Sequence, residues 1–195
     1  VDDDGIPWRT LPGTNHPSAG YFTRGSGHDE YANYTELPEV YERVMDRLKK
    51  KYKAARKYMP KPIIEDRGNE VGIIAYGTTH HAVVEARQRL ADRGLKTDYC
   101  RVRSIPHPQE VMKFIVRHKR VYVIDQNRDG QMYDLLRLTL NPTQDNLLSV
   151  RHYDGTPIPA RAIVAPILIE EGVASPAEFE RARQVYALPV EAANA

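Results

Sequence analysis

The sequence predicts an α/β domain, three-layer with a mostly parallel sheet, preceded by an irregular arm and a long helix. Three observations carry this reading. From residue 70 onward, short apolar runs alternate four times with segments of helical period. The connections between them are short, and crossovers of this kind build a parallel sheet covered on both faces. Ahead of residue 37 no period is sustained, while glycine and proline recur.

The elements follow in order. Gly5 to Gly20 holds three prolines and three glycines. Residues 1–36 are therefore read as an arm, too long for a loop inside a compact domain. It lies on the surface or docks on something outside this chain. A helix is predicted over Pro38–Tyr58. Pro38 suits a first turn whose N–H groups have no partner in any case. Glu36 and Glu39 sit at the positive end of the helix dipole, and Pro60 and Pro62 end the helix. Its apolar positions are Tyr41, Val44, Leu48, Tyr52 and Ala55.

"EVGIIAYG" (70–77) reads as a buried strand, and residues 80–94 as a helix closed by Gly94. Residues 96–105 alternate as a strand. Residues 108–119 form a helix with Val111, Ile115 and His118 on one face. Strand 120–127, helix 130–140 and strand 146–153 follow. Residues 160–172 look helical, with Pro166 predicted to kink or divide them. Residues 175–186 open on Ser-Pro-Ala-Glu, a capping box. No internal repeat is visible.

Composition narrows the function classes. An apolar fraction of 41% and a charged fraction of 28% are those of a soluble globular protein. No apolar run is long enough to span a bilayer, and Val-Asp-Asp-Asp is no signal peptide. A single cysteine, Cys100, excludes an internal disulfide and any cysteine-ligated zinc or iron–sulfur site made by this chain alone. Its alternating context reads as strand packing, and a cytoplasmic, reducing location fits. A net charge of +2 favours no partner class. The basic run "RLKKKYKAARK" (47–57) lacks the interleaved aromatics of an RNA platform and reads as a solvated helix face. No nucleic acid and no membrane is expected as a partner. The chain opens without Met in polar, turn-like sequence, which predicts a start in the middle of a longer protein.

Three stretches could carry chemistry. In a doubly wound sheet, ligands bind at the carboxyl ends of strands. At Gly77-Thr78, backbone N–H groups could meet an anion at a helix start. Only one glycine of the dinucleotide fingerprint is present, so the plainer reading is a βα turn with a threonine cap. Asp125, Asn127, Asp129 and Gly130 offer hard oxygens, but the downstream glutamate of a calcium loop is missing. A Gly-Asp-Gly motif for thiamine diphosphate fails because residue 128 is Arg, and Asn141 and Asn146 come too early. The plainer reading is again a turn.

The third stretch is Thr23–Glu36, where Gly25-Ser26-Gly27 would let the backbone approach a ligand. Here Arg24 could clamp a carboxylate and His28 could titrate near neutrality. These two residues are the catalytic candidates. The remaining histidines do not cluster. His80 and His81 diverge on a helix, His118 reads as a core histidine, and His152 belongs to a strand end and turn.

Several stretches together carry a resemblance: "DGIPWRTLPGTNHPSAGYFTRGSGHDEYANYTE" (4–36), "VYERVMDRLKKKYKAAR" (40–56), "EVGIIAYGTT" (70–79), "LKTDYCRVRSIP" (95–106), "RVYVIDQNRDGQM" (120–132) and "SVRHYDGTPIPAR" (149–161). They resemble the C-terminal part of the α subunit of 2-oxoacid:ferredoxin oxidoreductases, with the 2-oxoglutarate branch nearest. The resemblance implies four segments. Residues 1–36 would be the arm and the end of an upstream pyrimidine-binding domain, and 37–62 a linking helix. Residues 63–188 would be a transketolase C-terminal-like α/β domain, and 189–195 a frayed tail. It also implies a parent enzyme that decarboxylates a 2-oxoacid on thiamine diphosphate with magnesium. That enzyme passes electrons through an iron–sulfur cluster to ferredoxin and delivers an acyl-CoA. A β subunit would carry the diphosphate motif and the cluster, so this chain alone would bind no cofactor or metal. It would organise domain and subunit interfaces, with Thr23–Glu36 as a junction near the active site. The alternative is a free-standing α/β module that binds a nucleotide or other anion at the strand ends around Gly77 and Asp125.

Overall fold

The computed structural model describes residues 1–20, 25–140 and 145–180. They fall into two compact units. One comprises Val1–Pro60 with Ile105–Pro108, and the other Lys61–Ser104 with the chain from Gln109 onward.

The second unit is built on one sheet. Its strands are β1 (Ile63–Glu65), β2 (Val71–Tyr76), β3 (Thr97–Val102), β4 (Arg120–Asp125) and β5 (Leu147–Arg151), in the order β1-β3-β2-β4-β5. β2 runs parallel to both β3 and β4, and β4 runs parallel to β5. Ile73 stands beside Tyr99 on one side and Tyr122 on the other, which fixes the register across the centre. The chain moves from β2 out to β3, then returns across β2 to lay down β4. That reversal puts successive crossover helices on opposite faces.

The side chains sort accordingly. Ile73, Ala75, Tyr99, Tyr122, Ile124 and Val150 face α2 (Thr79–Asp92) and α5 (Ala160–Glu170). Ile74, Cys100, Val102, Val121, Val123 and Leu147 face α3 (Gln109–Arg117) and α4 (Gln131–Arg137). Both faces are thus covered, and this is why β2 reads as a continuous apolar run rather than an alternation. Full burial of each Val, Ile or Leu side chain here contributes about 1.5–3 kcal/mol. Gly72 is required by packing. A Cβ at this position would meet Phe114 Cε1 at 2.8 Å and His118 Cδ2 at 3.2 Å, so its absence lets α3 lie close against β2.

Three expectations differ from what forms. β1 was not anticipated: three residues between Pro62 and a turn pair antiparallel with β3 through Ile64 and Cys100. A strand this short carries too little pattern to be read. Pro166 does not divide α5, which is one helical element from Ala160 to Glu170. Pro166 is solvent-exposed, whereas Ile163 and Ile167 are fully buried, so the proline ring lies on the free face of an otherwise anchored helix. The capping box at Ser175 also gives way. The Glu178 amide donates to the Ser175 carbonyl at 3.1 Å, while the Glu178 carboxylate takes the guanidinium of Arg93 at 2.7 Å.

In the first unit, α1 (Pro38–Ala55) carries the arm against one flank. Gly5, with φ +80°, presses on the helix so closely that a Cβ would sit 2.8 Å from the Arg47 carbonyl. Arg47 Nη1 in turn donates to the Gly5 carbonyl at 3.3 Å. Only Val44 of α1 is buried. Among the described residues, no helix is long and apolar enough to cross a membrane.

Candidate functional site

The point where strand order reverses lies between the carboxyl ends of β2 and β4, which is where ligands enter doubly wound sheets. Both strand-end candidates converge there. Asp125 ends β4 fully buried. Its Oδ1 accepts hydrogen bonds from the Tyr76 hydroxyl at 3.0 Å, Asn127 Nδ2 at 3.0 Å and the Met132 amide at 3.1 Å. Its Oδ2 accepts from the Tyr133 amide at 3.3 Å. The carboxylate therefore occupies the start of α4, where orphan N–H groups and the helix dipole favour negative charge. Burial, then the Asp125 charge and hydrogen bond, push the Tyr76 phenol up to about 12.

Asn127 turns the chain next. Its Oδ1 accepts from the amides of Gly130 at 2.7 Å and Gln131 at 3.1 Å, and Gly130 takes φ +71°. The turn reading of 125–130 holds. Asp129 is held by its neighbour Arg128 at 2.7 Å.

Gln126 spans the remaining gap. Its Nε2 donates to Thr79 Oγ1 at 2.8 Å, and its Oε1 accepts the Ile158 amide at 3.1 Å, so it ties the start of α2 to the loop after β5. The threonine-cap reading needs correction here. Thr78 takes the N-cap position without a side-chain cap bond, and it is the buried Thr79 that is engaged, by Gln126. Gly77, at φ +56°, supplies the turn.

A second polar cluster sits at the opposite, amino ends of the strands. Asp98, fully buried in β3, accepts the amides of Arg67 at 3.0 Å, Gly68 at 3.2 Å and Asn69 at 3.2 Å. Asn69 Nδ2 at 2.5 Å, Arg117 Nη2 at 2.8 Å and His118 Nε2 at 3.2 Å complete its shell. Burial opposes the charge, yet hydrogen bonds from Arg67, Asn69 and His118 outweigh it and hold the carboxyl down to about 2. His118 Nδ1 lies 2.6 Å from the Phe114 carbonyl, so both ring nitrogens have partners, as the core-histidine reading of its helix face expected.

His80 and His81 do not diverge fully: their ring centroids lie 5.4 Å apart, tilted at 58°. His80 stacks on Tyr99, with ring centroids 5.8 Å apart. Its imidazole is shifted down by burial and then by Arg101 and His81. His152 lies 2.9 Å from Asp154 in the turn after β5. A cavity of about 300 Å³ is lined by Arg89, Asp92, Arg93, Arg161, Val164 and Phe179 on α2, α5 and the following segment, not by the strand ends.

Of the two catalytic candidates, Arg24 lies outside the described residues. His28 is half-buried, and its Nδ1 donates to the Asp29 carbonyl at 2.8 Å, which leaves Nε2 as the acceptor of the neutral ring. The stretch around it is a small self-braced hairpin. His28 bridges Tyr34, and the Thr35 amide donates to the Gly27 carbonyl at 3.1 Å. Asp29 Oδ1 accepts the amides of Tyr31 and Asn33, both at 2.9 Å. Gly27 is needed for close approach, since a Cβ there would lie 2.7 Å from the Thr35 carbonyl.

No family model matches the chain. Individual relatives do. The chain is 29% identical over 164 residues to 2-oxoacid:ferredoxin oxidoreductase 2, subunit alpha, from Aeropyrum pernix, a match over 81% of this chain and 25% of that protein. It is 27% identical over 127 residues to the 2-oxoacid:ferredoxin oxidoreductase subunit alpha of Saccharolobus solfataricus, over 61% of this chain and 20% of the relative. Among solved structures, it superposes with TM-score 0.71 and 26% identity on 2-oxoglutarate:ferredoxin oxidoreductase from Magnetococcus marinus. That match covers 89% of this chain and 30% of the other, whose structure holds 2-oxoglutarate, coenzyme A and succinyl-CoA. The chain is similar to 2-oxoacid:ferredoxin oxidoreductase α subunits. It spans about a quarter of the length of the Aeropyrum protein and a fifth of the Saccharolobus one.

Among the described residues, Cys100 does not fit an iron–sulfur cluster, and Asp125 does not fit magnesium or a diphosphate. Cys100 is fully buried, and burial pushes its thiol up to about 12, the reverse of what a cluster ligand needs. The oxygens of Asp125 accept three N–H groups and one hydroxyl, leaving no face for magnesium or a diphosphate. Among the described residues, no group of three or more His, Cys, Asp or Glu is placed to hold a metal ion.

Sequence reading missed Tyr76, Gln126 and Asp98. A signal existed for Asp98: a lone carboxylate in an apolar strand must find donors, and the turn-rich Asp66–Asn69 run just ahead of β2 could supply them. Gln126 had no such signal, because what it bridges is set by the sheet order.

Proposed function

We propose that this chain is the C-terminal α/β part of the α subunit of a 2-oxoacid:ferredoxin oxidoreductase, with 2-oxoglutarate as substrate. It is a scaffold whose contacts position the thiamine-bearing, electron-transferring parts of the enzyme. The match to the Magnetococcus enzyme, extending over 89% of this chain, carries the reading. The geometry of the reversal point supports it over a free nucleotide- or anion-binding module, because Tyr76, Gln126, Asn127 and the amides at the start of α4 are engaged with one another and with Asp125. The partners are a β subunit with thiamine diphosphate, magnesium and an iron–sulfur cluster, then ferredoxin and coenzyme A through the assembled complex.

The test is to purify the native complex through this chain and assay 2-oxoacid- and CoA-dependent viologen reduction. Pyruvate, 2-oxoglutarate and branched-chain 2-oxoacids are compared. Turnover fastest with 2-oxoglutarate is expected, and the isolated chain is expected to be inactive. Material free of a thiamine- or cluster-bearing partner would overturn the reading. Within the complex, Arg24 and His28 are proposed to approach the substrate. His28→Gln and Arg24→Gln should each lower kcat/KM at least about tenfold with assembly intact.

A further inference from the structure

The exposed face of α1 has an unused pattern. Tyr41, Met45, Leu48 and Tyr52 fall on one stripe of the helix, spaced four, three and four residues apart. They are 52%, 46%, 40% and 53% exposed, so an apolar stripe of large side chains stands in solvent. Among the described residues, Gly5 packs at Arg47 and Lys51, off this stripe, and the hairpin meets its Tyr41 end, where a Cβ on Gly27 would lie 3.5 Å from Tyr41 Cδ2. A surface helix normally turns such a stripe to a partner.

The stripe is symmetric about its own middle. Tyr41 and Tyr52 are equidistant from the point between Asp46 and Arg47, and so are Met45 and Leu48. Reversing the helix end for end therefore superposes tyrosine on tyrosine and Met45 on Leu48. Charge follows the same reversal. Glu39, Glu42 and Asp46 occupy the N-terminal half, with Arg43 there paired to Glu30, while Arg47, Lys49, Lys50, Lys51 and Lys53 occupy the C-terminal half. Among the described residues, Glu42, Lys49 and Lys53 carry no ion pair within the chain.

We propose that α1 docks on α1 of a second copy of this chain, antiparallel, about a two-fold axis passing between Asp46 and Arg47. An isologous interface requires a surface complementary to itself, and this stripe is. Tyr41 of each copy packs on Tyr52 of the other, and Met45 packs on Leu48. Glu42 of each copy lies alongside Lys49 and Lys53 of the other. Parallel pairing would instead set the basic halves together and cost stability through like-charge contact. The helices approach to about 8–10 Å between axes, as interdigitating ridges allow. The inference does not depend on the enzymatic reading above.

The test uses the 195-residue chain. Sedimentation velocity and light scattering across the micromolar range are expected to give twice the monomer mass. Leu48→Glu, at a partly exposed position, should raise the dimer dissociation constant at least about tenfold. Val116→Glu, on the exposed face of α3, should leave it unchanged. A short bis-maleimide reads the register, because Cys100 is fully buried and does not compete. An equal mixture of Tyr41→Cys and Tyr52→Cys chains should cross-link between copies, while Tyr41→Cys alone should not. Three results would each overturn the proposal: a wild-type monomer at every concentration, a dimer indifferent to Leu48→Glu, or efficient cross-linking of Tyr41→Cys alone.

Discussion

A single buried carboxylate organises the amino edge of the sheet. Asp98 gathers three consecutive amides, a side-chain amide, a guanidinium and an imidazole. Replacing it by Asn swaps one acceptor oxygen for a donor that faces other donors. Asp98→Asn should therefore cost about 3 kcal/mol in urea unfolding, the range for breaking a buried charge cluster. The pH dependence has a fixed sign. The folded carboxyl sits at about 2, below its ordinary value of 3.8, so its contribution is complete above pH 5 and fades as pH falls through 4 toward 2. It amounts to about 2 kcal/mol. The wild-type acid limb should be steeper than that of Asp98→Asn by this amount, and equal limbs would sink the assignment. At this scale the sequence was legible where a residue reports its neighbours along the chain, as His118 on its helix face and Cys100 in its alternating strand did. It was silent where partners are distant, as for Tyr76 with Asp125 and Gln126 with Thr79.

Elements were legible in proportion to length and period. The four long βα alternations were readable because burial on both faces leaves continuous apolar runs, and helices turn apolar stripes to the sheet. β1 was too short, and α5 was misjudged at Pro166. There the packing of Ile163, Val164, Ile167 and Leu168 overrode a local breaker whose ring faces solvent. The overridden preference remains as a cost. Pro166→Ala would restore a donor and relieve the clash with the preceding turn, so it should stabilise the chain by about 1–3 kcal/mol. Thermal unfolding checks this, and an unchanged or lowered Tm would mean that the helix has already absorbed the proline. α1 shows the opposite case. Its period was plain in the sequence, but period alone does not name what the stripe faces.

At the scale of the molecule, the sheet order is what decides how the strand ends are used. Reversal between β2 and β4 opens a crevice in many doubly wound proteins, and here the chain's own side chains occupy it. The sequence held no warning of this, since Gly77 and Asp125 look like ligand-binding turns until their partners are known. The candidate loop at Thr23–Glu36 was legible as structured polar sequence but not as a hairpin braced by Asp29.

The small strand β1 has one more effect. Among the described residues, Ile63–Glu65 is the strand paired along the outer margin of β3, whose Thr97–Val102 segment is almost wholly buried. Uncovered, that margin is a row of free amides and carbonyls on an apolar ribbon, a template for growth by strand addition between molecules. A chain begun after residue 66 keeps four of the five strands and every helix of the α/β unit, yet it should form thioflavin-positive aggregates where the full chain stays clear. Three residues with almost no signature in the sequence thus guard the molecule against fibre formation.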